Sequence, residues 1–237
     1  MSEILIFGDS FADKNFKFNN QKTWYDKLDN VSNYAKMGIG ATRLIKIFEN
    51  EIKQYNINDL SDKFLVVILA DCYRLDLDYL PKLTHQHLGL TINDFDDVYE
   101  FLRKSKLRNH NEFYLENFDR VKKDYKSFYS NGVNQLLPIH CIQYFLNVTN
   151  LFKKVIIWPT NQVYVNNETS KQIGCDFSIT NELISKNEKL YFVKNSFYDI
   201  ELEQNSDEVL NNHLTPENHE RVYNLIQNWF YKDEKNE

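Results

Sequence analysis

The sequence predicts an α/β fold of three layers, in which a parallel sheet of about five strands carries helices on both faces. Two observations lead there. Short apolar runs of strand length recur along the chain, and segments with helical spacing fill most of the intervals between them. Alternation of that kind produces βα units and a parallel sheet. The run Phe64-Leu65-Val66-Val67-Ile68-Leu69 is also apolar at every position, as a strand covered on both faces must be.

Taken in order, the first strand is Ile4-Leu5-Ile6-Phe7, ending at Gly8. Val31 to Ala35 is a weaker second, Phe64 to Leu69 the third, Val155 to Trp158 the fourth and Leu190 to Val193 the fifth. Helices are expected over Trp24 to Asp29, Thr42 to Tyr55, Gln135 to Phe152 and Ile179 to Ser185. The third strand is followed by a long polar, aromatic-rich interruption, residues 76–134. Leu102, Tyr114, Phe118, Val121, Tyr125 and Phe128 fall near helical spacing there, so it reads as a helical insertion in a single domain spanning residues 1–237. The last helix carries the clearest signals. Thr215 suits the N-cap, Pro216 the first helical position and Glu217 the positive end of the helix dipole. Val222, Leu225, Ile226, Trp229 and Phe230 then form the stripe of a helix packed on a sheet.

Composition narrows the function. The 237 residues are enough to bury roughly 70% of the unfolded surface. A net charge of -6, from 28 basic and 34 acidic residues, argues against nucleic acid as a partner. No apolar stretch approaches the ~20 residues of a membrane span, so no membrane partner is expected. The start, MSEILIFGDS, lacks the layout of a signal peptide. Cys72, Cys141 and Cys175 are an odd, widely spaced set, which points to a reducing cytoplasm and not to a disulfide framework.

Chemistry gathers at two places. Gly8-Asp9-Ser10 ends the first strand, and side chains at the carboxyl ends of parallel strands line the ligand crevice. Ser10 therefore stands where a nucleophile is useful, while the plainer reading is that Asp9 or Ser10 caps the next helix. A serine needs a base, and His213 lies two residues before Thr215, on a loop at the mouth of the last helix. Its plainer reading is an exposed loop histidine. His219 shares a face with Val222 and Ile226 and reads as a half-buried packing residue.

Together these pieces resemble the SGNH hydrolases, also called GDSL esterases and lipases. Ile4-Leu5-Ile6-Phe7-Gly8-Asp9-Ser10-Phe11 matches that family's strand and Gly-Asp-Ser block, with Ser10 as nucleophile. Asn33-Tyr34-Ala35-Lys36-Met37-Gly38 resembles its second block, which implies that the Gly38 N–H joins the Ser10 N–H in an oxyanion hole; Gly40 is the runner-up. Asn212-His213-Leu214-Thr215-Pro216 resembles the family's histidine loop in the form associated with phage and bacterial members, and it makes His213 the base. The resemblance spans the chain in order, although three short blocks carry it. It implies a flavodoxin-like sheet of order 2-1-3-4-5 and hydrolysis of a small acyl or carbohydrate O-acetyl ester. It implies no cofactor and no metal.

Two departures stand out. The family's third block, Gly-x-Asn-Asp after the third strand, is replaced by Ala70-Asp71-Cys72-Tyr73-Arg74. Cys72 is a weak donor beside an amide, and Arg74 is the alternative. The family's acid stands three residues before the histidine, where this chain has Leu210. Asp207 is the first candidate in its place and Glu208 the second; without either, a Ser-His dyad oriented by a backbone carbonyl remains. The rival from another class is a non-catalytic glycan-binding or structural module of a phage or cell envelope.

Other motifs carry less. Gly38-x-Gly40-x-x-Arg43 lacks the third glycine that a dinucleotide site needs for close helix packing. His85-x-His87 has no third ligand at diagnostic spacing.

Overall fold

The computed structural model describes residues 2–17, 21–69, 133–160, 184–203 and 212–231, together with Arg120, Lys123, Ser127 and Glu182. Five strands form one parallel sheet: β1 (Ile4–Phe7), β2 (Val31–Asn33), β3 (Phe64–Leu69), β4 (Lys154–Pro159) and β5 (Leu190–Phe192). Their order is β2-β1-β3-β4-β5, the flavodoxin-like arrangement the sequence predicts. β1 and β3 pair from Ile4↔Phe64 to Phe7↔Val67, and β3 and β4 from Phe64↔Lys154 to Leu69↔Pro159. The central strands are buried at every position except Lys154, which is why they read as unbroken apolar runs.

Helices cover both faces. α1 (Ala41–Ile52), α2 (Ile57–Leu60) and α3 (Val133–Val148) lie on one side, where Leu44, Phe48, Leu60, Ile142 and Phe145 bury against Leu5, Phe7, Leu65 and Val67. On the other side lie a 3₁₀ turn at Trp24–Lys27, α4 (Phe197–Leu202) and α5 (Pro216–Tyr231). There Trp24, Phe197, Val222, Ile226 and Phe230 meet Ile4, Ile6, Val66 and Ile156. Strand alternation explains the split, since successive side chains of β1 point to opposite layers. The three layers are therefore those expected.

Several details differ from the sequence reading. The Trp24–Asp29 helix is a single 3₁₀ turn, and β2 stops at Asn33, although Tyr34 N–H and Lys36 N–H still donate to the Ile6 and Gly8 carbonyls, both at 2.8 Å. The fourth predicted helix touches the described residues only at Glu182, Ile184 and Ser185, which are helical. α2 and α4 have no counterpart in the sequence reading. Of the insertion at 76–134, Arg120, Lys123, Ser127, Val133 and Asn134 are helical and the rest lies outside the described residues.

Gly8 has a reason beyond turning. A Cβ there would sit 2.6 Å from the Cβ of Ile68, so β1 leaves the sheet where only hydrogen fits against β3. No helix among the described residues is long and apolar enough to cross a membrane.

Candidate active site

Beyond Gly8 the chain folds into a tight loop over Asp9–Asp13. The Asp9 carbonyl accepts from the amides of Ala12 (3.1 Å) and Asp13 (3.0 Å), and its Oδ1 accepts from Phe11 N–H at 3.2 Å. Asp9 thus organises the loop, and the serine is left to point elsewhere. Ser10 is 4% exposed, more enclosed than a residue on an open crevice wall.

The loop after β2 is stitched to this one. Lys36 N–H donates to the Gly8 carbonyl at 2.8 Å, Met37 N–H to Asp13 Oδ2 at 2.7 Å and Asn33 Nδ2 to the Ala12 carbonyl at 2.8 Å. Gly38 follows directly, with φ of 72°, a left-handed conformation that glycine adopts without strain. Among the described residues no acceptor takes the N–H of Ser10 or of Gly38. Gly40, the alternative oxyanion donor, is also the N-cap of α1, its carbonyl receiving Leu44 N–H at 3.0 Å, a bond that does not involve its own N–H.

The third loop comes from the far end of the chain. Asn212 and His213 are both left-handed, with φ of 48° and 64°. Asparagine and histidine are both among the residue types enriched in that region, at a cost of order 1–3 kcal/mol for a non-glycine residue. The conformation brings His213 Nε2 to 3.1 Å from Ser10 Oγ. The ring lies between Phe11 and Phe16, each centroid 4.9 Å away. On its opposite edge, Nδ1 is 3.2 Å from Glu201 Oε1. Serine, imidazole and carboxylate thus form one line. The His213 and Glu201 side chains both reach solvent, 33% and 36% exposed.

Glu201 was not among the residues the sequence singled out. It stands on α4, a helix opened by a reciprocal cap in which Ser196 and Asp199 bond each other's backbone and side chain. The pattern Ser196-x-x-Asp199 was its one local signal. Asp207, Glu208 and Leu210 lie outside the described residues, as do Cys72, Arg74, His85 and His87. His219 is fully buried, not half-buried, and its Nδ1 accepts from Trp24 N–H at 3.3 Å. It secures the 3₁₀ turn and stands apart from Ser10. A cavity of about 310 Å³ also lies elsewhere, walled by Trp158, Tyr191, Ile200, Arg221 and Leu225. Neither Ser10 nor His213 lines it.

No group of three or more histidine, cysteine or acidic side chains among the described residues could hold a metal ion. No protein-family model matches the chain, and no curated protein or solved structure does either. What the molecule offers toward an assignment is this aligned serine, histidine and glutamate at the carboxyl edge of a parallel sheet.

Proposed function

We propose that the protein is a serine hydrolase of the SGNH type, cleaving a small acyl ester or an O-acetyl ester of a carbohydrate. One observation carries the reading: Ser10 Oγ, both nitrogens of His213 and the Glu201 carboxylate lie in sequence at 3.1 and 3.2 Å. Acyl transfer by a serine needs that order, with a base on the nucleophile and an acceptor on the far side of the ring.

In the reaction, Ser10 Oγ bonds to the ester carbonyl carbon while His213 Nε2 takes the hydroxyl proton. The carbonyl π electrons move onto oxygen, and the backbone N–H groups of Ser10 and Gly38 are the donors proposed to receive that charge. Glu201 faces Nδ1–H, which selects the tautomer with Nε2 available and favours the imidazolium that forms. Collapse breaks the bond to the alcohol oxygen, which leaves with the proton from Nε2. Water then repeats the sequence on the acyl-serine and releases the acid. No step requires a cofactor.

The test is labelling with a fluorophosphonate probe, with the modified residue located by mass spectrometry. Wild type should label at Ser10 and turn over a short-chain aryl ester. Ser10→Ala should lose the label and about 10³-fold or more of the turnover while melting within a few degrees of wild type. A wild-type protein that does not label would favour the non-catalytic glycan-binding or structural module.

A further inference from the structure

Asn212 precedes the histidine, and nothing in the reaction itself uses it. Its side chain nonetheless makes three hydrogen bonds. It is 0% exposed. Nδ2 donates to the Ser10 carbonyl at 2.6 Å and to the Asp13 carbonyl at 2.9 Å, and Oδ1 accepts from the Tyr25 hydroxyl at 3.2 Å. Its backbone N–H donates to the Phe16 carbonyl at 3.2 Å. Every bond runs to the first 25 residues of the chain, about 200 positions away.

We infer that Asn212 is a positioning residue that clamps the histidine loop onto the serine loop and so sets the Ser10–His213 distance. The inference rests on the proposed hydrolase reading, because it assigns Asn212 a role in that same pair. Three features support it. The carbonyl that Asn212 holds belongs to Ser10 itself, so one amide group spans from the backbone of the nucleophile to the residue bonded to the base. The two residues Asn212 and His213 are left-handed in succession, a conformation that relaxes unless contacts hold it. The amide orientation is also set from outside. The Ser10 and Asp13 carbonyls can only accept, so Nδ2 must face them, and Oδ1 is left toward the Tyr25 hydroxyl, which burial keeps protonated and which also lies 3.3 Å from the Asp13 carbonyl.

Aspartate keeps the size of Asn212 but places a second oxygen against those carbonyls. Glycine keeps the left-handed backbone and deletes the clamp. The informative variant is therefore Asn212→Gly, with Asn212→Asp beside it and Tyr25→Phe as a milder loss. Crystal structures of wild type and Asn212→Gly read the geometry whether or not the protein is active. The expected result is a Ser10 Oγ–His213 Nε2 separation beyond hydrogen-bonding range in Asn212→Gly. A pair still within about 3.3 Å, the range of a hydrogen bond, would overturn the inference.

The kinetic arm uses Ser10 labelling by fluorophosphonate. Asn212→Gly should label about 10- to 100-fold more slowly than wild type, Asn212→Asp at least as slowly, and Tyr25→Phe less than 10-fold more slowly. Asn212→Gly in a His213→Ala background should label no more slowly than His213→Ala alone, because the clamp acts through the histidine. A purely stabilising residue would instead lower the melting temperature and slow labelling by the same factor in both backgrounds. Failure of wild type to label would remove the hydrolase reading, and the crystallographic arm would still decide whether Asn212 sets the distance.

Discussion

At the scale of single residues, the site turns on which carboxylate faces His213. The spacing in the SGNH hydrolases that the sequence resembles points toward Leu210 and its acidic neighbours, but the contact at 3.2 Å comes from Glu201, twelve residues before the histidine. The longer glutamate side chain suits a donor helix set back from the ring. If Glu201 stabilises the imidazolium, Glu201→Gln should lower ester turnover by about 10²–10⁴-fold, with Ser10 still labelling slowly. The neutral amide keeps the size of the side chain, so the melting temperature should hold within a few degrees. Near-normal turnover in Glu201→Gln, measured beside Asp207→Asn and Glu208→Gln, would remove Glu201 from the relay. Loss in one of the other two would place the acid there instead. The clamp at Asn212 shows why such residues are hard to read from a chain. His213 carries a recognisable neighbourhood, Asn-His-Leu before a capped helix, whereas the value of Asn212 lies in partners near residue 10 that no local pattern announces.

Whole elements divide in the same way. β1 and β3 occur where their apolar runs lie, because a strand buried on both faces has no polar position to blur its ends. α5 begins at Pro216, with Asn218 N–H on the Thr215 hydroxyl at 3.3 Å, as its capping sequence foretells. α4 went unseen because its six residues span less than two turns and leave apolar periodicity nothing to repeat. Its helical start is carried by Ser196, buried, and Asp199. Ser196→Ala should cost about 1 kcal/mol, read as a fall of about 2–4 °C in melting temperature for a chain of this length. If α4 holds Glu201 in place, the same variant should also reduce turnover several-fold at temperatures where the protein remains folded. Unchanged turnover with a lowered melting temperature would show that the sheet and loop, not the cap, position Glu201.

Across the whole molecule, the sheet separates the end that carries Ser10 and His213 from a charged network near its strand starts. Ser10 and His213 lie beyond the carboxyl end of β1, where a parallel sheet opens its crevice. Before that strand, Glu3 accepts from Lys63 Nζ at 2.7 Å and from the Ser32 hydroxyl at 2.5 Å, and the Tyr55 hydroxyl donates to it at 3.4 Å. Lys63 precedes β3 and Ser32 lies in β2, so one carboxylate ties three strands together. Burial opposes the charge on Glu3, yet the bonds from Lys63 and Ser32 outweigh it and hold the carboxyl below its ordinary value of 4.5. Burial also pushes the Tyr55 phenol upward, helped by Tyr34 and by the Glu3 charge, so that hydroxyl remains a donor. A carboxyl lowered by folding contributes stability that is present above its unfolded value and lost as pH falls through the folded one. The melting temperature of wild type should therefore drop as the solution is acidified below about pH 4.5. Glu3→Gln should melt lower than wild type at pH 7, and its curve should fall less steeply through the acid range, so that the two converge. Asp26, held low by Lys17 and Thr23 against the opposing effect of burial, supplies part of the remaining slope in both proteins. Parallel curves from pH 7 to pH 3 would mean that the Glu3 charge adds nothing and that Lys63 and Ser32 find equal partners in water.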